Sequence, residues 1–150
     1  MIIDTSVLVA MIREESDAQQ FFEVLRQASA LRLSAASYVE LAVIVDGLKD
    51  PLASGTLDEL LKTYRVRIEP LTEAQARIAR TAYQQFGKGS GHPARLNMGD
   101  CFAYALARDL GEPLLFKGDD FTLTDIEIVI EPIKHKRLSE VMAAYGVATS

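Results

Sequence analysis

The stretch MIIDTSVLVAMI, residues 1–12, places a single acid, Asp4, inside an otherwise uncharged and mostly apolar segment. The apolar residues before Asp4 predict a short buried strand, and residues 6–13 predict a helix. Asp4 therefore lies at a strand-to-helix junction. Because a buried carboxylate costs free energy unless a partner compensates it, Asp4 is either the cap of this helix or a functional residue.

The composition indicates one soluble globular domain. The chain has 150 residues, of which 49% are hydrophobic and 25% charged. It has no apolar run near the roughly 18 residues of a membrane span, no basic leader segment, and a single cysteine, so we expect a cytoplasmic protein without a membrane association. The net charge of −5 argues against binding of nucleic acid by the whole surface, although residues 88–95 and 134–137 form local basic clusters.

Short apolar strands alternate with helices along the chain. We predict strands at residues 1–4, 31–35, 66–70, 113–116 and 126–130, and helices at residues 6–13, 18–29, 38–49, 57–64, 73–86 and 98–110. This alternation favours a three-layer α/β/α sandwich around a mostly parallel sheet of about five strands. Residues 50–55 (DPLASG) indicate a turn. Residues 1–133 form the predicted domain, and residues 134–150 a tail helix or arm belonging to it.

Acidic residues follow several of the predicted strands. Asp4 ends the first strand, Glu40 begins the helix after the second, Asp100 begins the helix before the fourth, and Asp119 and Asp120 follow the fourth. In an open parallel sheet, ligands bind beyond the carboxyl ends of the strands. We therefore expect these acids to meet at one edge.

Each acid taken alone also has a structural explanation. Ser37-x-x-Glu40 is a capping-box pattern, Asn97-x-x-Asp100 is a weaker one, and the two acids after Gly118 fit a turn. Caps need one acid per helix, however, whereas carboxylates that converge repel one another unless a cation neutralises them. Oxygen donors without His or Cys suit Mg²⁺ or Mn²⁺, and such ions support hydrolysis of phosphodiesters.

Four motifs carry a resemblance to a known family: MIIDTSVLVA, SAASYVELAVIV, ARLNMGDCFAYALARDLGEPLLFKGDDF and TDIE. Over about residues 1–130 the chain resembles PIN-domain ribonucleases, specifically the VapC-type toxins of bacterial toxin–antitoxin pairs. The resemblance implies a Mg²⁺- or Mn²⁺-dependent endoribonuclease with a parallel sheet between helices. It also implies a cytoplasmic homodimer and a VapB-type antitoxin, with a larger hetero-oligomer of the two as an alternative.

The resemblance assigns roles to individual positions. The first three family acids fall on Asp4, Glu40 and Asp100. Many members carry the fourth acid where this chain has Gly118, so that role passes to Asp119, slightly favoured, or Asp120. The small hydroxyl positions after the first acid are matched by Thr5 and Ser6.

The resulting hypothesis is a metal-dependent cleavage of single-stranded or looped RNA. Asp4 and Asp100 would hold the principal ion, while Glu40 and the fourth acid would complete the site. The candidates for holding the RNA backbone are Lys88, Arg95 and Lys117.

Several alternatives stay open at this point. A receiver-like signalling domain that binds Mg²⁺ without catalysis would also be an acidic α/β fold, but it needs paired acids after the first strand and an Asp after the third. A metal-free ribonuclease would need histidine catalysis, and His92 and His135 are not at predicted strand ends. The apolar side of the second long helix, residues 39–44, is either core or a dimer surface.

Overall fold

The computed structural model describes residues 1–129. The predicted tail of residues 134–150, with His135 and the second basic cluster, lies outside the described residues. Within residues 1–129, no helix is long and apolar enough to cross a membrane.

A parallel sheet forms the centre of the fold. Its strands are β1 (Ile2–Ile3), β2 (Arg32–Ser34), β3 (Arg67–Glu69) and β4 (Leu114–Leu115), in the order β3-β2-β1-β4. Every pairing is parallel, and Ile2 pairs with both Arg32 and Leu114. The carboxyl ends of the four strands therefore lie along the same edge.

Helices cover both faces of this sheet, as predicted. They are α1 (Thr5–Ile12), α2 (Ala18–Gln27), α3 (Ala35–Gly47), α4 (Pro51–Thr63), α5 (Glu73–Phe86) and α6 (Met98–Leu110). Ile2 and Leu114 pack with α5 and α6, whereas Ile3 and Leu115 pack with α1 to α4. Successive strand residues point to opposite faces, so two adjacent apolar residues join two separate cores.

The predicted fifth strand is reduced to a single contact in the described part of the chain. Ile128 forms an isolated parallel bridge with Leu114. The backbone N–H of Leu114 donates to Glu127, and that of Val129 donates to Leu114, at 2.9 and 3.0 Å. This bond pair extends the sheet beside β4 by one position only.

The predicted turn at residues 50–55 is wrong, because α4 already begins at Pro51. The Asp50 carboxylate caps this helix by accepting from the Leu52 N–H at 3.0 Å. Proline at the first helical position loses no hydrogen bond, since that N–H has no partner in a helix. Gly55 lies within the helix without ending it.

Candidate active site

Asp4 lies at the carboxyl end of β1 and caps α1. Its side chain is 5% exposed, and one carboxylate oxygen accepts the Ser6 N–H at 3.0 Å. Its own N–H donates to the Leu115 carbonyl at 2.9 Å, which fixes it beside the end of β4. Burial raises the pKa of Asp4 despite the hydrogen bonds from Ser6 and Thr5 that lower it, and the charge of Asp120 raises it further. Asp4 is thus a helix cap whose ionised form is disfavoured by burial and by a neighbouring acid.

Asp100 lies in the first turn of α6, and a complete capping box holds it there. The Asn97 side chain accepts the Asp100 N–H at 2.8 Å, and Asp100 Oδ2 accepts the Asn97 N–H at 2.8 Å. Burial raises the pKa of Asp100 to about 6 although the Asn97 hydrogen bond lowers it, and the charges of Asp4, Asp120 and Glu40 add to the rise. The cap therefore coexists with repulsion from three other acids.

Glu40 reaches the same place from α3. This helix begins at Ala35, so Glu40 lies in its second turn and the expected capping box with Ser37 is absent there. The Glu40 carboxylate lies against the backbone of Gly99, where an added Cβ would meet its two oxygens at 2.6 and 2.7 Å. Burial and then the charge of Asp4 raise the pKa of Glu40. Gly99 thus provides the space in which Glu40 approaches Asp100.

The fourth acid comes from the segment after β4. Gly118 adopts φ +101°, a backbone conformation that favours glycine, and a single 3₁₀ turn, Asp120–Leu123, follows. The charge of Asp120 raises the pKa of both Asp4 and Asp100. Asp119 uses its carbonyl oxygen to accept from Thr122. These interactions favour Asp120 over Asp119, the slightly preferred choice from the sequence.

Two serines lie beside Asp4, Ser6 through a hydrogen bond and Ser34 through the strand register, and a further buried serine, Ser37, lies in the first turn of α3. Ser6 Oγ accepts the Lys117 N–H at 2.9 Å and so connects α1 to the end of β4, while Thr5 is the first residue of α1. The hydroxyls of Ser34 and Ser37 are buried and have no hydrogen-bond partner among the described residues. Since Arg32 pairs with Ile2, the parallel register places Ser34 beside Asp4. Sequence reasoning missed both serines, and the strand register is the signal that identifies Ser34.

The basic candidates differ in their surroundings. Lys88 and Arg95 are exposed on the loop before α6, which a bridge between Gly87 and Leu96 closes. Lys117 instead forms ion pairs with Glu15 and Asp17. His92 accepts the Ala94 N–H on Nδ1 at 3.1 Å and packs edge-on against Phe86, so it supports this loop.

The cluster is an unbalanced concentration of negative charge. Of the ion pairs that the structure describes within residues 1–129, none involves Asp4, Glu40, Asp100 or Asp120. In that same part of the chain, no three acidic, His or Cys side chains already have the spacing that would enclose a metal ion. Carboxylates that repel one another, beside the unpartnered hydroxyl of Ser34, nevertheless fit a hard divalent cation in their chemistry.

Cys101 follows Asp100 in α6 but takes no part in the cluster. It is a free, buried thiol within the α5–α6 core. Burial and then the Asp100 charge raise its pKa to about 11. Since the thiolate is the reactive form, burial and this raised pKa both disfavour reaction of Cys101 in the folded protein.

Comparison with known proteins agrees with this geometry. Residues 1–127 match the family model described as PIN domain. Ribonuclease VapC28 of Mycobacterium tuberculosis is 50% identical over 131 residues, which cover 87% of this chain and 98% of the relative. Ribonuclease VapC42 of the same species is 51% identical over 126 residues, covering 84% and 96%.

Two solved structures share the fold at low sequence identity. M. tuberculosis VapC20, titled a sarcin-ricin loop cleaving toxin, has a TM-score of 0.67 at 15% identity and covers 87% of this chain and 98% of its own. FitAcB from Neisseria gonorrhoeae has a TM-score of 0.63 at 20% identity and covers 86% and 96%.

Proposed function

The chain belongs to the PIN-domain family, and from that premise we propose that it is a divalent-metal-dependent endoribonuclease, the toxin of a type II toxin–antitoxin pair. The observation that carries the proposal is the edge of the sheet where acids from four separate segments repel one another without a paired cation. Relatives about 50% identical over most of the chain are named VapC ribonucleases. The receiver-like alternative has no comparable support.

The proposed ion is Mg²⁺ or Mn²⁺, because all the donors are oxygens. Asp4 and Asp100 would hold it, and Glu40 with Asp120, or Asp119 in its place, would complete the site. When bound, the ion lowers the pKa of a coordinated water and offsets negative charge that develops on the scissile phosphate.

The protein's own groups would hold the ligand oxygens in place and accept a proton from the attacking water. Asp4 is rigid because Ser6 and Leu115 fix its oxygen and its N–H. Asp100 uses Oδ2 for its cap, which leaves Oδ1 for the site. Glu40 is exposed and has a raised pKa, which suits it to accept a proton from the attacking water.

RNA would approach over the loop before α6. Lys88 and Arg95 are exposed there, and α6 begins at the acid edge directly after this loop. Their charges would offset phosphates on either side of the cleaved bond. Because this contact is local, the net charge of −5 is compatible with an RNA substrate.

The proposed partner is a VapB-type antitoxin that covers the acid edge, in a cytoplasmic complex. One similar structure is titled a toxin–antitoxin complex from Klebsiella pneumoniae. A cationic antitoxin side chain placed among the acids would relieve their repulsion. We also propose a homodimer, since Val39, Val43 and Ile44 form an exposed apolar face on α3.

RNA cleavage by site variants tests the function. We expect Asp4→Asn and Asp100→Asn to lose roughly 100-fold or more of the Mg²⁺- or Mn²⁺-dependent activity, because each removes a charge that a metal requires. The products should carry 5′-phosphate and 3′-hydroxyl ends. Asp58→Asn on exposed α4 is the matched control and should cleave normally. Wild-type rates in both site variants, or cleavage in excess EDTA, would overturn the proposal.

A further inference from the structure

Lys117 lies between β4 and the fourth acid, and two interactions hold it. Its backbone N–H donates to Ser6 Oγ at 2.9 Å, next to the N–H of Ser6 that binds Asp4. Its ammonium group contacts the carboxylate of Glu15 and lies 2.9 Å from Asp17 Oδ1. We name this group of Lys117, Glu15 and Asp17 the lysine clasp.

The clasp already neutralises the lysine charge. The Lys117 side chain is about one-third exposed, and so are the side chains of its two partners, at 34%, 32% and 30%. Hydrogen bonds to Glu15 and then Asp17 raise the pKa of Lys117. An ammonium that spans two carboxylates has little charge left for a phosphate, which weakens the expected role in RNA binding.

The segment that follows the clasp carries Asp120 on a short turn. Asp120 lies on a single 3₁₀ turn, whereas Asp4, Glu40 and Asp100 belong to α1, α3 and α6 or cap them. After Asp120 the chain is anchored by Phe121, which is 2% exposed and contacts Phe116 with ring centroids 5.0 Å apart.

Before Asp120, the chain passes through Gly118, which has a positive φ. Because glycine has no side chain, it does little to restrict the backbone at this point. Among the contacts that the structure describes for residues 117–119, the long-range ones are those of Lys117 with Ser6, Glu15 and Asp17. A carboxylate on so short a turn needs a fixed entry point as well as a fixed exit.

We propose that Lys117 is a positioning residue: its clasp onto the α1–α2 connection, together with the bond from its N–H to Ser6 Oγ, fixes the chain that enters the turn carrying Asp120. The inference rests on the proposed metal-dependent function but concerns a residue that does not touch the metal or RNA. An isolated surface ion pair contributes little stability, so the clasp is expected to act on geometry more than on folding.

The test breaks the clasp from each side. Lys117→Met removes the cation, the double variant Glu15→Gln/Asp17→Asn removes its partners, and Lys117→Arg keeps the charge. Arg77→Met, which breaks an exposed ion pair with Glu73 on α5, is the matched control. For each protein, Mn²⁺ binding is titrated by electron paramagnetic resonance, and kcat and KM are measured on RNA.

If the clasp positions Asp120, both breaks weaken Mn²⁺ binding and lower kcat by roughly 10-fold, a size typical of groups that orient metal ligands. KM for RNA should stay nearly constant, Lys117→Arg should recover much of the loss, and Arg77→Met should change nothing. Circular dichroism melts identify a variant that is merely unfolded. If Lys117→Met is unfolded, the double variant, which removes the two carboxylates instead of the lysine, tests the inference.

Two results would overturn the inference. If Lys117 contacts RNA directly, Lys117→Met raises KM, while the double variant frees the lysine and keeps normal Mn²⁺ binding. If both breaks leave Mn²⁺ binding and kcat unchanged, the clasp is only a surface ion pair. Should the wild type bind Mn²⁺ but cleave no RNA, the proposed function fails while the Mn²⁺ titrations still judge the clasp. If the wild type binds no Mn²⁺, both the proposed function and the positioning role of Lys117 are wrong.

Discussion

The two edges of the sheet treat charge in opposite ways. At the amino-end edge, the Met1 ammonium lies 2.5 Å from Glu112 and Arg32 lies 2.8 Å from it; the Arg32 side chain also reaches Glu69, the last residue of β3, at 2.5 Å. At the carboxyl-end edge, Asp4, Glu40, Asp100 and Asp120 face one another. One edge therefore pairs its charges and the other accumulates a single sign.

The pKa values record this difference. Burial alone would raise the pKa of Glu112, but the hydrogen bonds and charges of the Met1 ammonium and Arg32 outweigh it and lower the pKa. The pKa of Asp100 is raised to about 6 by burial and by its acidic neighbours. Charges at the first edge favour folding, whereas the mutual repulsion at the second opposes it, as is common at functional sites.

Among changes that leave every acid in place, the largest effect is expected for Gly99→Ala at the unpaired edge. The new methyl group would meet both Glu40 oxygens within 2.7 Å and push that carboxylate away from Asp100. We expect cleavage to fall roughly 10- to 100-fold, as for other displaced site groups. The control is Gly47→Ala on α3, where a Cβ meets nothing within 4 Å. Equal rates for both variants would mean that Glu40 is free to relocate.

At the paired edge, Arg32→Met should affect stability and not catalysis. It leaves Glu112 and Glu69 without their shared cation, so we expect the midpoint of thermal unfolding to fall by a few degrees. RNA cleavage below that temperature should equal that of the wild type, since the ion pairs of Arg32 are with Glu112 and Glu69 and with none of the four clustered acids. Arg26→Met, which breaks an exposed pair with Glu23, should leave the midpoint unchanged. If the Arg32→Met protein cleaves RNA more slowly while fully folded, the ion pairs of Arg32 contribute to catalysis and this prediction is wrong.

Removing one charge from the unpaired edge should stabilise the metal-free protein. Asp100→Asn keeps an oxygen that can accept the Asn97 N–H but ends the repulsion with Asp4 and Asp120. We expect the unfolding midpoint in EDTA to rise by roughly 3 °C, about 1 kcal/mol for a domain of this size. Scanning calorimetry of the wild type and variant in EDTA measures this difference. A lower midpoint for the variant would show that the acids already stabilise the fold.

The smallest effect is the pH dependence of the paired edge. Because the folded-state pKa of Glu112 is lowered, its contribution to stability is present above its unfolded value of about 4.5 and is lost as pH falls through the folded pKa. The difference in unfolding midpoint between wild type and Glu112→Gln should therefore be constant from pH 6 to 7 and shrink below about pH 4.5. If the difference between the two midpoints grows as the pH falls, the pKa of Glu112 is raised on folding and not lowered.

The sequence predicted more of the fold than of the site. Alternating apolar strands and amphipathic helices indicated the layers. Strand direction placed Asp4 and Glu40 at one edge, and Asp100 joined them on the condition that its helix begins at that edge and runs antiparallel to the strands. The start of α4 was missed because Gly55 and its small neighbours resemble a turn, although Asp50 and Pro51 form a helix start. Local composition outweighed a capping signal there.

The remaining features depend on geometry that no local pattern contains. The preference for Asp120 over Asp119 rests on which of two adjacent carboxylates lies nearer Asp4, and it depends on the local backbone after Gly118, whose φ is +101°. The pairing of Lys117 joins residues about a hundred positions apart, so its charge looked available for RNA. Both questions concern side-chain direction, which element prediction does not address.

The buried thiol of Cys101 can serve as a built-in probe of local opening around α6. As the single cysteine, it lies one residue after Asp100 in the helix that carries the third acid, and it is 2% exposed. Because Cys101 is buried in the core between α5, α6 and the sheet, we expect alkylation to require local opening of this core, so its rate reports on how often the region around α6 opens. Metal ions or an antitoxin that close the acid edge would slow that labelling, without any engineered tag or RNA substrate.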